Sequence, residues 1–133
     1  MLGYSGTPLP RKLGIKPGFR TLFVNPPAEV LAELQVTLKE CERLPEAKAP
    51  LDFAMLFASS RAQLKAFAAI AKALAPAGML WACWPKKSSG VKSDLDENAV
   101  RETGLQTGLV DVKVCAVTEI WSGLKFVRRV KDR

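Results

Sequence analysis

Apolar positions along the chain fall into two kinds of run. Leu51–Ala58 reads Leu, Asp, Phe, Ala, Met, Leu, Phe, Ala, and Met79–Trp84 contains no charge at all. Runs this short and this apolar predict parallel strands covered on both faces. Other runs are periodic. Val30, Leu31, Leu34, Leu38 and Cys41 recur at helical spacing, which predicts a helix from Pro27 to about Leu44, ended by Pro45. Pro27 suits the first helical position, where its missing N–H costs nothing. Leu64, Phe67, Ala71 and Leu74 give a second stripe, from Arg61 to about Ala75, opened by a capping box of Ser60 and Gln63 and stopped by Pro76–Ala77–Gly78. Arg20–Asn25 is a short β-rich strand. Asp94 with Glu97 predicts the cap of a short helix that ends at Gly104 as a left-handed C-cap. Val110–Ile120 and Leu124–Val130 are β-rich, and Trp121–Ser122–Gly123 between them predicts the turn of a hairpin.

Strand, helix, strand, helix, strand, helix and hairpin in that order predict an α/β fold. The expected form is a three-layer sandwich around a shortened, mostly parallel sheet of about five strands with an antiparallel C-terminal hairpin. Residues 1–19 carry Pro8, Pro10, Pro17 and four glycines and read as an irregular arm of a single domain spanning 1–133.

Composition narrows the class. With 133 residues, 48% hydrophobic and 25% charged, the chain can bury roughly two-thirds of its unfolded surface as one domain. No apolar run approaches the ~20 residues that span a bilayer, and Met1–Gly6 lacks the charged and apolar regions of a secretory signal. Cys41, Cys83 and Cys115 are odd in number and widely spaced, which fits a reduced, cytoplasmic setting without zinc. Net charge is +7 and unevenly spread. Arg11, Lys12, Lys16 and Arg20 stand in a first segment without acids; Lys125, Arg128, Arg129, Lys131 and Arg133 crowd the last; Glu29, Glu33, Glu40, Glu42 and Glu46 lie between. Such a balance suits solubility, and also a polyanionic partner such as nucleic acid.

Several segments resemble known families. Lys12–Gly18, leading into the Arg20–Asn25 strand, is similar to the approach to the first motif of Rossmann-type S-adenosylmethionine-dependent methyltransferases. Ala75–Trp81 resembles that family's approach to its fifth strand. Gly3–Leu9, Trp84–Val91 and Trp121–Lys125 resemble signatures of a family of short bacterial proteins of uncharacterised function, which implies a fold and a lineage but no activity. The methyltransferase resemblance implies a glycine-rich turn after the first strand and an acidic residue after the second. This chain has Asn25–Pro26–Pro27 at the first place, where prolines remove two donors and stiffen the turn. It also has apparent room for only one helix between the first strand and Leu51, so the second and third strands are expected to be missing. The first strand then becomes a sheet edge, to be covered by the arm or paired in a homodimer.

The sequence therefore predicts no bound cofactor, no metal and no catalytic set. It has no His, and its serines and carboxylates form no nucleophile–base or acid–base pair. In open α/β sheets, ligands gather beyond the carboxyl ends of the strands. Asn25, Ser59, Arg61, Trp84, Lys86, Lys87, Ser88, Trp121 and Ser122 are expected to meet there, with cations to draw an anion and the two Trp rings to stack. The leading expectation is a non-catalytic methyltransferase-like protein that binds a protein partner or a small anionic ligand at this rim, as a monomer or homodimer away from membranes. The alternative is nucleic-acid binding through arm, tail and rim; a third is an enzyme of unassigned reaction.

Overall fold

The computed structural model describes residues 6–133, so Gly3, Tyr4 and Ser5 of the first signature lie outside the described residues. Strands β1 (Arg20–Val24), β2 (Glu42–Leu44), β3 (Leu51–Phe57), β4 (Leu74–Pro85), β5 (Leu109–Ala116) and β6 (Trp121–Arg128) form one sheet of order β2-β1-β3-β4-β6-β5. β1 runs parallel to β2 and β3, and β3 to β4, whereas β6 is antiparallel to both β4 and β5. Helices α1 (Leu9–Leu13) and α2 (Ala28–Leu38) cover one face; α3 (Arg61–Leu64), α4 (Phe67–Ala73) and α5 (Glu97–Gln106) cover the other. This is the expected three-layer α/β sandwich with an antiparallel C-terminal hairpin.

The sheet separates two cores. Leu64, Phe67, Ile70, Ala99 and Val100 pack on Leu56, Leu80, Leu124 and Phe126 on the α3–α5 face. Leu9, Leu13, Val30 and Leu34 pack on Phe23, Phe53, Phe57 and Trp81 on the other. Because side chains alternate along a strand, β3 and β4 feed both cores at once, hence their nearly continuous apolar runs, interrupted in β3 by Asp52.

The sheet has six strands rather than about five, because the second strand is present. α2 stops at Leu38, and Glu42–Leu44 pairs with Arg20–Leu22. β1 is therefore interior, and the expected exposed first strand does not exist. Arg20 ties this end together: its guanidinium donates to Pro50 O at 2.7 Å and to Glu42 Oε1 at 3.1 Å, while its N–H donates to Asp52 Oδ2 at 2.9 Å.

The arm is also more ordered than expected. Leu9, Leu13 and Ile15 are buried, and the Trp81 indole N–H donates to Leu13 O at 2.9 Å. Burial of each such side chain contributes about 1.5–3 kcal/mol. Pro27 is the N-cap of α2 rather than its first residue. The second predicted helix divides at Lys65–Ala66 into α3 and α4, and β4 begins at Leu74, five residues early. Gly78 makes that early strand possible, since a Cβ there would collide with Leu51 O. Asp96, not Asp94, caps α5, accepting from Ala99 N at 2.8 Å. Gly104 lies inside α5 against the Phe126 ring, and the left-handed residue is Gly108, with φ 87°. The hairpin loop is 117–120, where the Thr118 hydroxyl accepts from Ile120 N and Trp121 N, both at 3.0 Å; Trp121–Ser122–Gly123 belongs to β6.

Candidate functional site

The turn leaving β1 is where the methyltransferase resemblance demands a cradle. Asn25 takes a left-handed φ of 56°, and its amide donates to Phe57 O at 3.3 Å, pinning the turn to the end of β3. Pro26 and Pro27 carry no N–H. The first amides bonded inside α2, those of Val30 and Leu31, both donate to Pro27 O, and no side chain caps the helix. At the start of α2 only the Ala28 and Glu29 amides are left to face a ligand, beyond the two prolines, and the Asn25 side-chain amide is committed. This geometry does not fit S-adenosylmethionine at its usual phosphate-loop-like turn. The second expected obstacle is gone, however: β2 exists and Glu46, exposed, follows it by two residues.

A different arrangement lies at the carboxyl end of β3. Ser60 Oγ accepts from Gln63 N at 3.2 Å, and Gln63 Oε1 accepts from Ser59 N at 2.7 Å and from Ser59 Oγ at 3.0 Å, completing the expected capping interaction. The loop before α5 folds back onto this start: Asp94 Oδ1 accepts from Arg61 N at 2.9 Å, and Ser93 Oγ accepts from Leu95 N at 3.0 Å. Ser59, Ser60, Lys92, Ser93 and Asp94 line an open depression of about 410 Å³.

The remaining rim residues divide between the two faces. Trp84, 6% exposed, belongs to the core on the α3–α5 side, and its register partner is Ser122. Trp121 is half-buried on the opposite face, edge-on to Phe57 with ring centroids 5.2 Å apart. The sheet stands between the two indoles, so they do not form one stacking platform. Lys86 lies within electrostatic reach of Cys115, on the Trp121 side. Lys87 and Ser88 are exposed on a single 3-10 turn, held by Ser89 Oγ donating to Lys86 O at 2.6 Å. The structure thus brings Ser59 and Arg61 together with Lys92, and puts Trp84 beside Ser122. It separates both groups from Lys86 and Trp121.

Burial holds all three cysteine thiols above their usual range, Cys83 well above it with a smaller push from Cys115. Among the described residues no group of His, Cys, Asp or Glu could hold a metal ion, and no helix is long and apolar enough to cross a membrane.

No protein-family model matches the chain, and no curated protein does. Solved structures do. A SAM-dependent methyltransferase from Aquifex aeolicus matches with TM-score 0.60 and 17% identity over 87% of this chain and 85% of its own. A TehB-like SAM-dependent methyltransferase from Corynebacterium glutamicum matches with TM-score 0.57 and 10% identity over 96% of this chain and 90% of its own. The pyocyanin biosynthetic protein PhzM matches with TM-score 0.58 and 12% identity over 91% of this chain, which spans 53% of that longer protein. At such identities the likeness establishes a methyltransferase-like fold and nothing about chemistry.

Proposed function

We propose that this chain is a ligand-binding protein built on a methyltransferase-like sheet, and that it holds a small anionic ligand in the depression at the end of β3. The observation that carries this reading is the Asn25–Pro26–Pro27 turn, poor in amides where a nucleoside cofactor needs them, beside a formed depression lined by Ser59, Ser60, Lys92 and Ser93. Lys92 and the adjacent Arg61 supply positive charge, and the serine hydroxyls supply donors. Asp94 is engaged by the Arg61 N–H, which offsets its charge toward an incoming anion. No acid–base pair or activated nucleophile lines the depression, in keeping with binding rather than turnover.

Titration calorimetry tests the reading directly. Inorganic pyrophosphate is expected to bind the native chain and to bind Lys92→Ala and Arg61→Ala at least tenfold more weakly. S-Adenosylmethionine and S-adenosylhomocysteine are expected to give no binding heat. Micromolar affinity for either overturns the proposal.

A further inference from the structure

On the face of the sheet that carries α1 and α2, lysines from three parts of the chain converge beside β5 and β6. Lys113 and Lys125 are register partners, so their side chains leave the same face side by side. Lys113 Nζ donates to Lys12 O at 3.3 Å, and Lys12 Nζ donates to Ala116 O at 3.2 Å. The Lys125 ammonium ends beside Gly14, just past α1. Lys12, Lys113 and Lys86 all act electrostatically on Cys115, which places Lys86 in the same group.

Like charges directly opposite one another weaken an antiparallel pair. Here burial and the Lys113 charge both lower the pKa of Lys125, so the fold is strained electrostatically at this point. The ion pairs formed elsewhere involve Arg20 and Arg101; among the described residues no carboxylate stands within ion-pair distance of Lys86, Lys113 or Lys125. A local rule broken without internal compensation marks a place where something outside the chain completes the charge balance. Trp121, half-buried, lies on this same face.

We propose that this face binds single-stranded nucleic acid, with Lys86, Lys113 and Lys125 neutralising backbone phosphates and Trp121 stacking on a base. The cations form a row rather than a cup. Trp121, at the Lys86 end, and Lys125 are four residues apart on β6, roughly 13 Å at the usual rise, which is longer than one phosphate reaches. A polyanionic strand follows such a row, and an aromatic ring beside it accepts any base. Duplex readout needs a helix or ribbon entering a groove, and this face presents a sheet flank instead. The inference is independent of the depression at β3, which lies with Ser59, Ser60 and Lys92 away from this row.

Fluorescence anisotropy of a labelled oligothymidylate, titrated with the full chain at low and moderate salt, tests it. Single strands give about −0.7 in log affinity per log salt for each neutralised phosphate, so three lysines predict a slope of roughly −2. Lys113→Gln with Lys125→Gln is expected to flatten the slope by about 1.4, two phosphates' worth. Trp121→Leu is expected to weaken binding at least fivefold with the slope unchanged. Should that variant fail to fold, quenching of native tryptophan fluorescence by the oligonucleotide reads the same contact, because Trp81 and Trp84 are buried. Ser60→Ala and Lys92→Ala leave both quantities unchanged. Absence of binding at low salt, an unaltered slope in the double variant, equal affinity for duplex, or equal displacement by polyglutamate overturns the proposal.

Discussion

Gly104→Ala is the sharpest test of how the hairpin is held against α5. In most helix interiors this exchange stabilises, by about 1 kcal/mol of helix propensity. At Gly104 the new Cβ would collide with Cε2 and Cδ2 of Phe126. That ring is fully buried and set edge-on to Phe67, with centroids 5.1 Å apart, so it has nowhere to retreat. Overpacking against a rigid neighbour falls in the upper part of the usual range, about 2–3 kcal/mol, leaving a net loss of about 1–2 kcal/mol. Unfolding entropy near 2.1 cal/mol/K per residue amounts to roughly 0.28 kcal/mol/K for 133 residues, so Tm should fall by about 4–7 °C. The double-mutant cycle with Phe126→Leu identifies the cause. A smaller partner makes room for the methyl, and the two changes should couple favourably by about 1 kcal/mol. A Tm for Gly104→Ala at or above the native value, or strict additivity in the cycle, would refute the packing argument.

Two further outcomes follow from the α1 side of the molecule. Lys125 is held below its ordinary value of 10.5 by burial and then by Lys113, so its protonated form opposes folding. Stability therefore rises with pH between the lowered folded value and 10.5, where the unfolded state binds more protons. Lys125→Met should raise the urea midpoint near pH 7, with the gain fading toward pH 10.5; a gain that grows with pH contradicts the sign. Trp81→Phe removes the hydrogen bond to Leu13 O and leaves a void, costing about 2–3 kcal/mol. Tryptic cleavage at Arg11 and Lys12 should accelerate more than global unfolding does, as mass spectrometry of timed digests would show; unchanged protection there refutes the arm's dependence on this indole.

The parts of the fold that could be read from the sequence are those where burial leaves a pattern. β3 after Asp52 and β4 from Met79 are nearly all apolar because both faces are covered there, and Ser60 with Gln63 capped α3 as its spacing required. β2 escaped because only Leu44 of its three residues meets a core, and Glu42–Arg43–Leu44 carries no period. Gly104 was misleading for a different reason: a left-handed cap and a close approach to a ring call for the same residue. For the candidate site, the side of the sheet on which each expected residue falls was not legible. Trp121 lies opposite Pro85, one residue past Trp84, and successive strand residues face opposite ways; that register was hidden until the turn was seen to fall at 117–120. Hence Trp84 and Trp121, expected to meet at one rim, face opposite cores. The lysine row was hidden because Lys12, Lys86 and Lys113 meet only once α1 docks on the hairpin.

The central sheet is an insulating wall. Ser59 and Lys92 lie to one side of it, Lys86 and Trp121 to the other. Ligands at the two proposed sites would not collide, so filling one is expected to leave room for the other. With both proposed sites filled, a chain of 133 residues would join two different molecules without any moving part.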